Sequence, residues 1–405
     1  MAFPVQRVQL PEISQVPPPL MMSDPASFAH HTYTTRWPAV VERILKENDF
    51  EAPTVARLQQ LCRDLFSGTV RSLQDEDAPD WADWEQDLLP YLGLPWAEVP
   101  WLFAEFYFYR RILEAVAYFS GDVDPFASQK QAALRDAARA AAQPAAPVAQ
   151  SLYGALWGNR ADLSLNPEQL WRQESPAPVD RILADRILAD RILVDRTEAI
   201  AAYLQAPGGS SSRRIRIDIV ADNAGAELLS DLALAASLLK ARPDAQVKIH
   251  LKAYPTFVSD ATLADAAQTL AAIADTPLGA ELKPHLSQGV LKLQDSPLWN
   301  RPLAFWQLQE PLSAIFKGSR LVILKGDANY RRLLGDCQWS PTAHFSRVSA
   351  YFPSAVAALR TLKSELVVGL TAAQISHLDK VHGLDVAHER WMTAGEWGVI
   401  QARLE

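Results

Sequence analysis

Residues 214–239, RIRIDIVADNAGAELLSDLALAASLL, restrict the fold more than any other stretch of the chain. Ile215, Ile217 and Ile219 alternate with other residues and lead into Val220, the pattern of a buried strand. Leu228, Leu229, Leu232, Leu234, Ala235, Leu238 and Leu239 then recur at helical spacing, so a strand feeds directly into a packed helix. Between them the turn carries Asp222, Asn223 and Glu227. In an open α/β sheet that turn lies at the carboxyl end of a strand, where ligands bind, and the helix start offers free N–H groups to an anion. The stretch reads as half of a metal and phosphate site.

The C-terminal half of the chain repeats this alternation. Strands are expected at 215–221, 247–253, 289–295, 320–327 and 365–370, with helices at 225–240, 261–274 and 352–363 between them. This predicts an α/β/α sandwich, Rossmann-like, with a mostly parallel sheet. Upstream the patterns are helical. VVERILKE (40–47), TVARLQQLCRDLF (54–66) and LFAEFYFYRRILEAVAYF (102–119) place apolar residues three and four apart. The last is apolar around most of its circumference and should be the central helix of an all-helical N-terminal domain. Glu105, Arg110 and Arg111 interrupt it and read first as a buried ion-pair cluster.

The expected organisation is a helical domain over 1–205, a flexible linker APGGSSS at 206–212, and an α/β catalytic domain over 213–405. One oddity precedes the linker. Residues 180–194 repeat DRILA, DRILA, DRILV, and five residues turn a helix by about 140°, so the Ile-Leu pairs spiral instead of forming a stripe. The repeat reads as a short insertion adding a helical turn or two.

Composition narrows the partners. A formal net charge of −8 argues against nucleic acid or an anionic membrane surface, and no apolar run is long enough to span a bilayer. Two cysteines without metal-finger spacing fit a reducing compartment, and with no secretory leader pattern the expected location is cytoplasmic.

Four of the expected strands end in polar groups, and a parallel sheet sets such ends side by side. They are Asp222 and Asn223; Ser259 and Asp260; Asp295; and Lys325, Gly326, Asp327 and Asn329. Carboxylate and amide oxygens suit Mn²⁺ or Mg²⁺, with Co²⁺ or Ni²⁺ as further possibilities. Lys325 is placed to offset phosphate charge, and Gly326 to let backbone approach a ligand. Dinucleotide, Walker-type and serine-hydrolase signatures are absent, so carboxylate-held metal plus lysine points to phosphate-ester hydrolysis. Asp327 or Asp295 would serve as base or hydroxyl anchor.

The motifs VADNAGAELLSDLALAASLL, YPTFVSDAT, LVILKGDANYRRLLGD, LRTLK and GVIQ, in that order, resemble the damage-control phosphatase family (domain of unknown function 89). RTLK, Arg360 to Lys363, is similar to the RTxK signature of its subfamily III. SFAHHTYTTR, EFYFYRRI and LWGNRADLSL extend the resemblance through the N-terminal half. The resemblance implies a metal-dependent phosphatase acting on sugar phosphates and related metabolites, with metal ligands at Asp222, Asn223 and Asp260. It also implies substrate contacts at Glu227, Asp295, Gly326, Asn329, Arg360 and Lys363, and Asn159 is a further candidate from the N-terminal half. The chain departs from the family pattern in its five-residue repeat and in Glu396-Trp397, where Lys-Tyr is usual.

Two questions stay open at this level. Arg360 and Lys363 precede the expected 365–370 strand, so they reach the phosphate only if that strand runs antiparallel to its neighbours. A second activity, transfer of methyl from S-adenosylmethionine to protein carboxylates, would use Glu227 to hold a ribose.

Overall fold

The structure, a computed structural model, describes residues 15–121, 123–140, 144–158, 190–207, 214–382 and 391–405. A seven-stranded sheet carries the C-terminal half, in the order β1-β7-β6-β5-β2-β3-β4. The strands are β1 (Ile192–Asp195), β2 (Ile215–Val220), β3 (Ala245–Lys252), β4 (Leu291–Ser296), β5 (Ser319–Lys325), β6 (Val356–Thr361) and β7 (Gly398–Arg403). From β6 through β4 every neighbouring pair is parallel, whereas β7 runs antiparallel to β6 and carries β1 parallel to itself. The chain lays down β2, β3 and β4 in one direction, then returns to place β5 on the other side of β2. Such a reversal opens a crevice beyond the carboxyl ends of the two strands that flank it. The site sits there.

Both faces of the sheet are covered. On one, the helices Val148–Gly158, Thr197–Gln205, Ala226–Ala241, Leu263–Ala272 and Pro277–Ser287 pack on Ile217, Ile219, Val247 and Ile323. On the other, Gln309–Phe316, Gly326–Leu334 and Ala372–His382 pack on Val220, Val322, Leu324 and Val356. A third core belongs to the helical N-terminal part. Trp101–Ala115 forms its axis, with Trp101, Phe106, Tyr107, Phe108 and Ile112 buried among Trp37, Leu58, Leu61 and Trp96. Among the described residues no helix is long and apolar enough to cross a membrane.

Two expectations about elements change. Residues 352–363, expected as a helix, contain strand β6, and 365–370 is not a strand. VAALRT is buried along its whole length between β5 and β7, so its apolar residues form a run instead of alternating, and alanine-rich runs mimic helix. Because β6 is parallel to β5, Arg360 and Lys363 fall at its carboxyl end, on the same edge as Asp222. The antiparallel requirement therefore disappears. The last repeat unit also differs from expectation: Ile192–Asp195 is an edge strand and not a helical turn, while the first two units lie outside the described residues.

The hydrophobic cores divide elsewhere than at the expected linker. Leu152, Leu156, Ile200 and Leu204 share the core of the sheet, and the helical core ends at Phe126 apart from Val258, which joins it from the loop after β3. The α/β layer therefore recruits helices upstream of residue 206. Residues 208–212 of the linker lie outside the described residues.

Candidate functional site

Four strand ends, those of β2, β3, β5 and β6, and the helical part enclose one cleft. Its walls are Arg36, Trp101, Glu105, Asp222, Asn223, Phe257, Ser259, Asp260, Asp327, Ala328, Arg331 and Lys363. Asp222 and Asn223 come from the end of β2, and Ser259 and Asp260 from the loop after β3, which folds back so that Asn223 and Asp260 form an isolated antiparallel bridge. Backbone hydrogen bonds from Ala224 N to Ser259 O (2.7 Å) and from Ala261 N to Asp222 O (2.8 Å) lock the two turns together. This pairing explains how residues nearly forty positions apart converge.

Asp222 owes its position to Gly326. That glycine follows β5 at φ +77°, and a β-carbon there would stand 1.8 Å from Asp222 Oδ2. The glycine expected to admit a ligand instead admits the Asp222 carboxylate. Asn223 is held from three sides. Its amide nitrogen donates to Asp222 Oδ2 (3.1 Å) and Glu227 Oε2 (2.8 Å), and its oxygen accepts from the Ser259 hydroxyl (2.5 Å). The amide oxygen, bonded once to Ser259, keeps a second lone pair that a cation could take.

Asp327 is presented by groups behind it. Arg360, fully buried, donates from Nε to Asp327 Oδ1 at 2.7 Å, and the Ser364 hydroxyl donates to the same atom at 3.1 Å. The rest of the Arg360 guanidinium reaches Ser364 Oγ (2.7 Å) and the Leu366 carbonyl, and its plane lies over the Tyr330 ring at 4.5 Å. Arg360 thus orients Asp327 and does not itself line the cleft. Lys363, two residues past β6, does line it.

Several expected contacts move away from the cleft. Lys325 has no exposed surface: its ammonium lies 2.9 Å from Glu227 Oε1 and 2.7 Å from Asp231 Oδ1. Burial alone would lower its pKa, but Asp231 and Glu227 outweigh that and hold it above the usual lysine range. The cations that do line the cleft are Lys363, Arg331 and Arg36. Glu227 is equally buried and engaged with Asn223 and Lys325, so it is not available to a ribose. Asn329 donates to the carbonyls of Ala221 (3.1 Å) and Lys325 (2.8 Å), tying β2 to β5 from within the protein. Asp295 is exposed on β4, the edge strand, opposite Leu251 of β3 and away from the cleft. Asn159 lies outside the described residues. Glu396 pairs with Arg191 at 2.8 Å on the surface, so the departure at 396 faces the last repeat unit instead of the cleft.

The helical part contributes the opposite wall. Glu105 pairs with Arg331 at 2.5 Å, and the Arg331 guanidinium, also fixed by Asp336 at 2.8 Å, stacks on Trp101 at 3.8 Å. Burial raises the Glu105 pKa despite the pull of Arg331. Arg36 ends a short π-helix, Thr32–Arg36, and a single π turn inside a helical run often marks a functional position. The ion-pair cluster expected for the 101–115 helix holds for Arg110 with Asp80 (2.7 Å) and Arg111 with Glu114 (2.9 Å). Glu105 alone of the three turns to the cleft. Sequence reasoning missed Trp101, Arg331 and Lys252. Lys252, at the end of β3, was legible as a strand-end lysine. It lies 3.1 Å from Asp260 Oδ2 and donates to the Trp299 carbonyl at 2.6 Å. Burial depresses its pKa, partly offset by Asp260.

The donor set suits a hard divalent cation. Among the described residues no three His, Cys, Asp or Glu side chains gather as metal ligands; Asp222 and Asp260 supply two carboxylates, and the third donor is the Asn223 amide. Few protein oxygens plus open space is the arrangement of an ion that keeps several waters, as Mg²⁺ and Mn²⁺ do.

Known proteins resemble this chain along most of its length. The model of the damage-control phosphatase ARMT1-like domain matches residues 32–378. Several curated proteins named damage-control phosphatase ARMT1 are similar to it. The one from Danio rerio is 30% identical over 430 residues, covering 93% of this chain and 94% of its own. Those from Rattus norvegicus (30% over 337 residues; 76% and 74%) and Homo sapiens (28% over 442 residues; 95% and 98%) are also similar. Among solved structures, a DUF89 family protein from Pyrococcus horikoshii aligns with a TM-score of 0.48 at 17% identity, covering 85% of this chain and 94% of that one. With a family match spanning most of its length, the chain belongs to the damage-control phosphatase family, with an ARMT1-like domain.

Proposed function

We propose that this protein hydrolyses small phosphomonoesters, sugar phosphates among them, in a reaction that depends on a divalent cation, with Mn²⁺ or Mg²⁺ the best fit to hard oxygen donors. The observation that carries the reading is the convergence of Asp222, Asn223, Asp260, Asp327 and Lys363 on one cleft at the sheet's reversal point. Asp222, Asn223 and Asp260 would hold the cation, which when bound supplies Lewis acidity toward a phosphoryl oxygen and toward water.

The remaining steps belong to the chain. Lys363 and Arg36 offset charge on the phosphoryl oxygens as it develops in the transition state, where fixed cations act most strongly. Asp327, held by Arg360 and Ser364, orients the attacking water and accepts its proton. Glu105 and Arg331 offer paired acceptor and donor atoms to hydroxyl groups of the alcohol portion, and Trp101 and Phe257 wall it from water. Asp222→Ala tests the assignment: turnover should vanish while the melting profile persists. Cation-dependent turnover surviving in Asp222→Ala would refute it.

A further inference from the structure

Behind the cleft lies a buried chain of polar contacts that the mechanism does not use. Glu227 and Asp231 stand one turn apart on the 226–241 helix, so both carboxylates face β5. Lys325 reaches across from the end of β5 and bridges them, at 2.9 Å and 2.7 Å. Asp231 and Lys325 have no exposed surface, and Glu227 has 1%. From Glu227 the chain continues outward, because its other oxygen accepts from the Asn223 amide nitrogen at 2.8 Å.

We propose that Asp231 is a positioning residue, fixing Lys325 and through it Glu227, so that Asn223 is kept with its amide oxygen toward the cleft. An amide can present either its oxygen or its nitrogen, and only the oxygen ligates a cation. Both acceptors facing the Asn223 nitrogen are carboxylate oxygens, Asp222 Oδ2 and Glu227 Oε2. Of these, Asp222 is itself a prospective ligand, so Glu227 is the acceptor that keeps the amide set when a cation draws on Asp222. Glu227 in turn is fixed by Lys325, whose position between two carboxylates is lost without Asp231: a single carboxylate would draw the ammonium toward itself alone. Burial raises Asp231 to about 7, with Glu227 adding to the rise and Lys325 opposing it, so the pair of carboxylates is tolerated in the dry interior by virtue of the lysine.

This inference rests on the cation assignment above, and its test separates the two. Mn²⁺ affinity is read from the electron paramagnetic resonance of free Mn²⁺, with no substrate present. Asp231→Asn should fold, as judged by circular dichroism, and bind Mn²⁺ about 10–100-fold more weakly, the usual effect of removing a group that orients a ligand. In an Asn223→Ala background the same change should leave Mn²⁺ affinity unaltered. Should Asp231→Asn fail to fold, the neutral triple variant Glu227→Gln/Asp231→Asn/Lys325→Met, which leaves no buried charge, should show the same weakening. Wild-type Mn²⁺ affinity in either folded variant overturns the positioning role. Wild-type protein that binds no Mn²⁺ overturns the cation assignment and this inference with it.

Discussion

Gly326 and Asp222 occupy overlapping space: a β-carbon on residue 326 would fall 1.8 Å from Asp222 Oδ2. The glycine, at φ +77°, immediately follows β5, and the aspartate lies two residues past β2. The reversal of strand order between them sets the cleft, and the missing side chain lets the carboxylate lie in it.

Gly326→Ala should therefore damage the site beyond its cost to the fold. The left-handed backbone alone costs about 1–3 kcal/mol. Displacing Asp222 by an ångström should lower kcat/KM on the order of 100-fold. Urea denaturation and steady-state kinetics on one preparation separate the two effects. Full activity with reduced stability would show that Asp222 need not sit where Gly326 allows it.

Arg360→Lys tests how Asp327 is aimed. Lysine keeps the charge but loses the fork that spans Asp327, Ser364 and Leu366. We expect kcat to fall more than KM rises, since Asp327 is assigned to the chemical step. Removing the charge altogether, in Arg360→Met, should cost about 3 kcal/mol of stability. A pure KM effect would mean that Arg360 or Asp327 serves substrate binding instead.

Two lysines close in sequence to the site should behave oppositely. Lys363 lines the cleft, so Lys363→Met should reduce kcat/KM by on the order of 10²–10³ with little change in stability. Lys325 is sealed between Glu227 and Asp231, so Lys325→Met strands two carboxylates and should destabilise the protein by about 3–5 kcal/mol. A Lys325→Met protein as stable as wild type would contradict the sealed ion-pair cluster.

Those two lysines also show what is legible in the chain. The first strand, its turn and its helix are readable because isoleucines alternate and leucines recur at helical spacing. The acidic strand ends come with them. Which way a strand-end side chain turns is not readable: Lys325 faces the 226–241 helix because Asp231, one turn beyond Glu227, completes a carboxylate pair there. Asp231 itself reads as an ordinary polar residue in a leucine-rich helix. Strand β6 reads as helix because a strand buried on both sides loses its alternation. Trp101 and Arg331 are hidden because they meet across two parts of the chain.

The buried triad also predicts a pH dependence of stability. Burial pushes Asp231 up from 3.8 to about 7 in the folded protein, against the pull of Lys325, so between those values the folded state holds a proton that the unfolded state has released. Its contribution is full below about pH 4 and is lost as pH rises to about 7. Asp231→Asn lacks this loss, so its stability relative to wild type should climb between pH 4 and pH 7. Urea midpoints at several pH values measure this. Parallel curves would mean that Asp231 is ionised throughout.

Phosphate release from a panel of sugar phosphates and a generic aryl phosphate, each assayed with EDTA and with added Mg²⁺, Mn²⁺, Co²⁺ or Ni²⁺, tests cation-dependent hydrolysis directly. Silence is expected in EDTA, with release restored by at least one cation, Mn²⁺ or Mg²⁺ foremost. Release that is unaffected by EDTA, or none with any cation despite demonstrated Mn²⁺ binding, would contradict it.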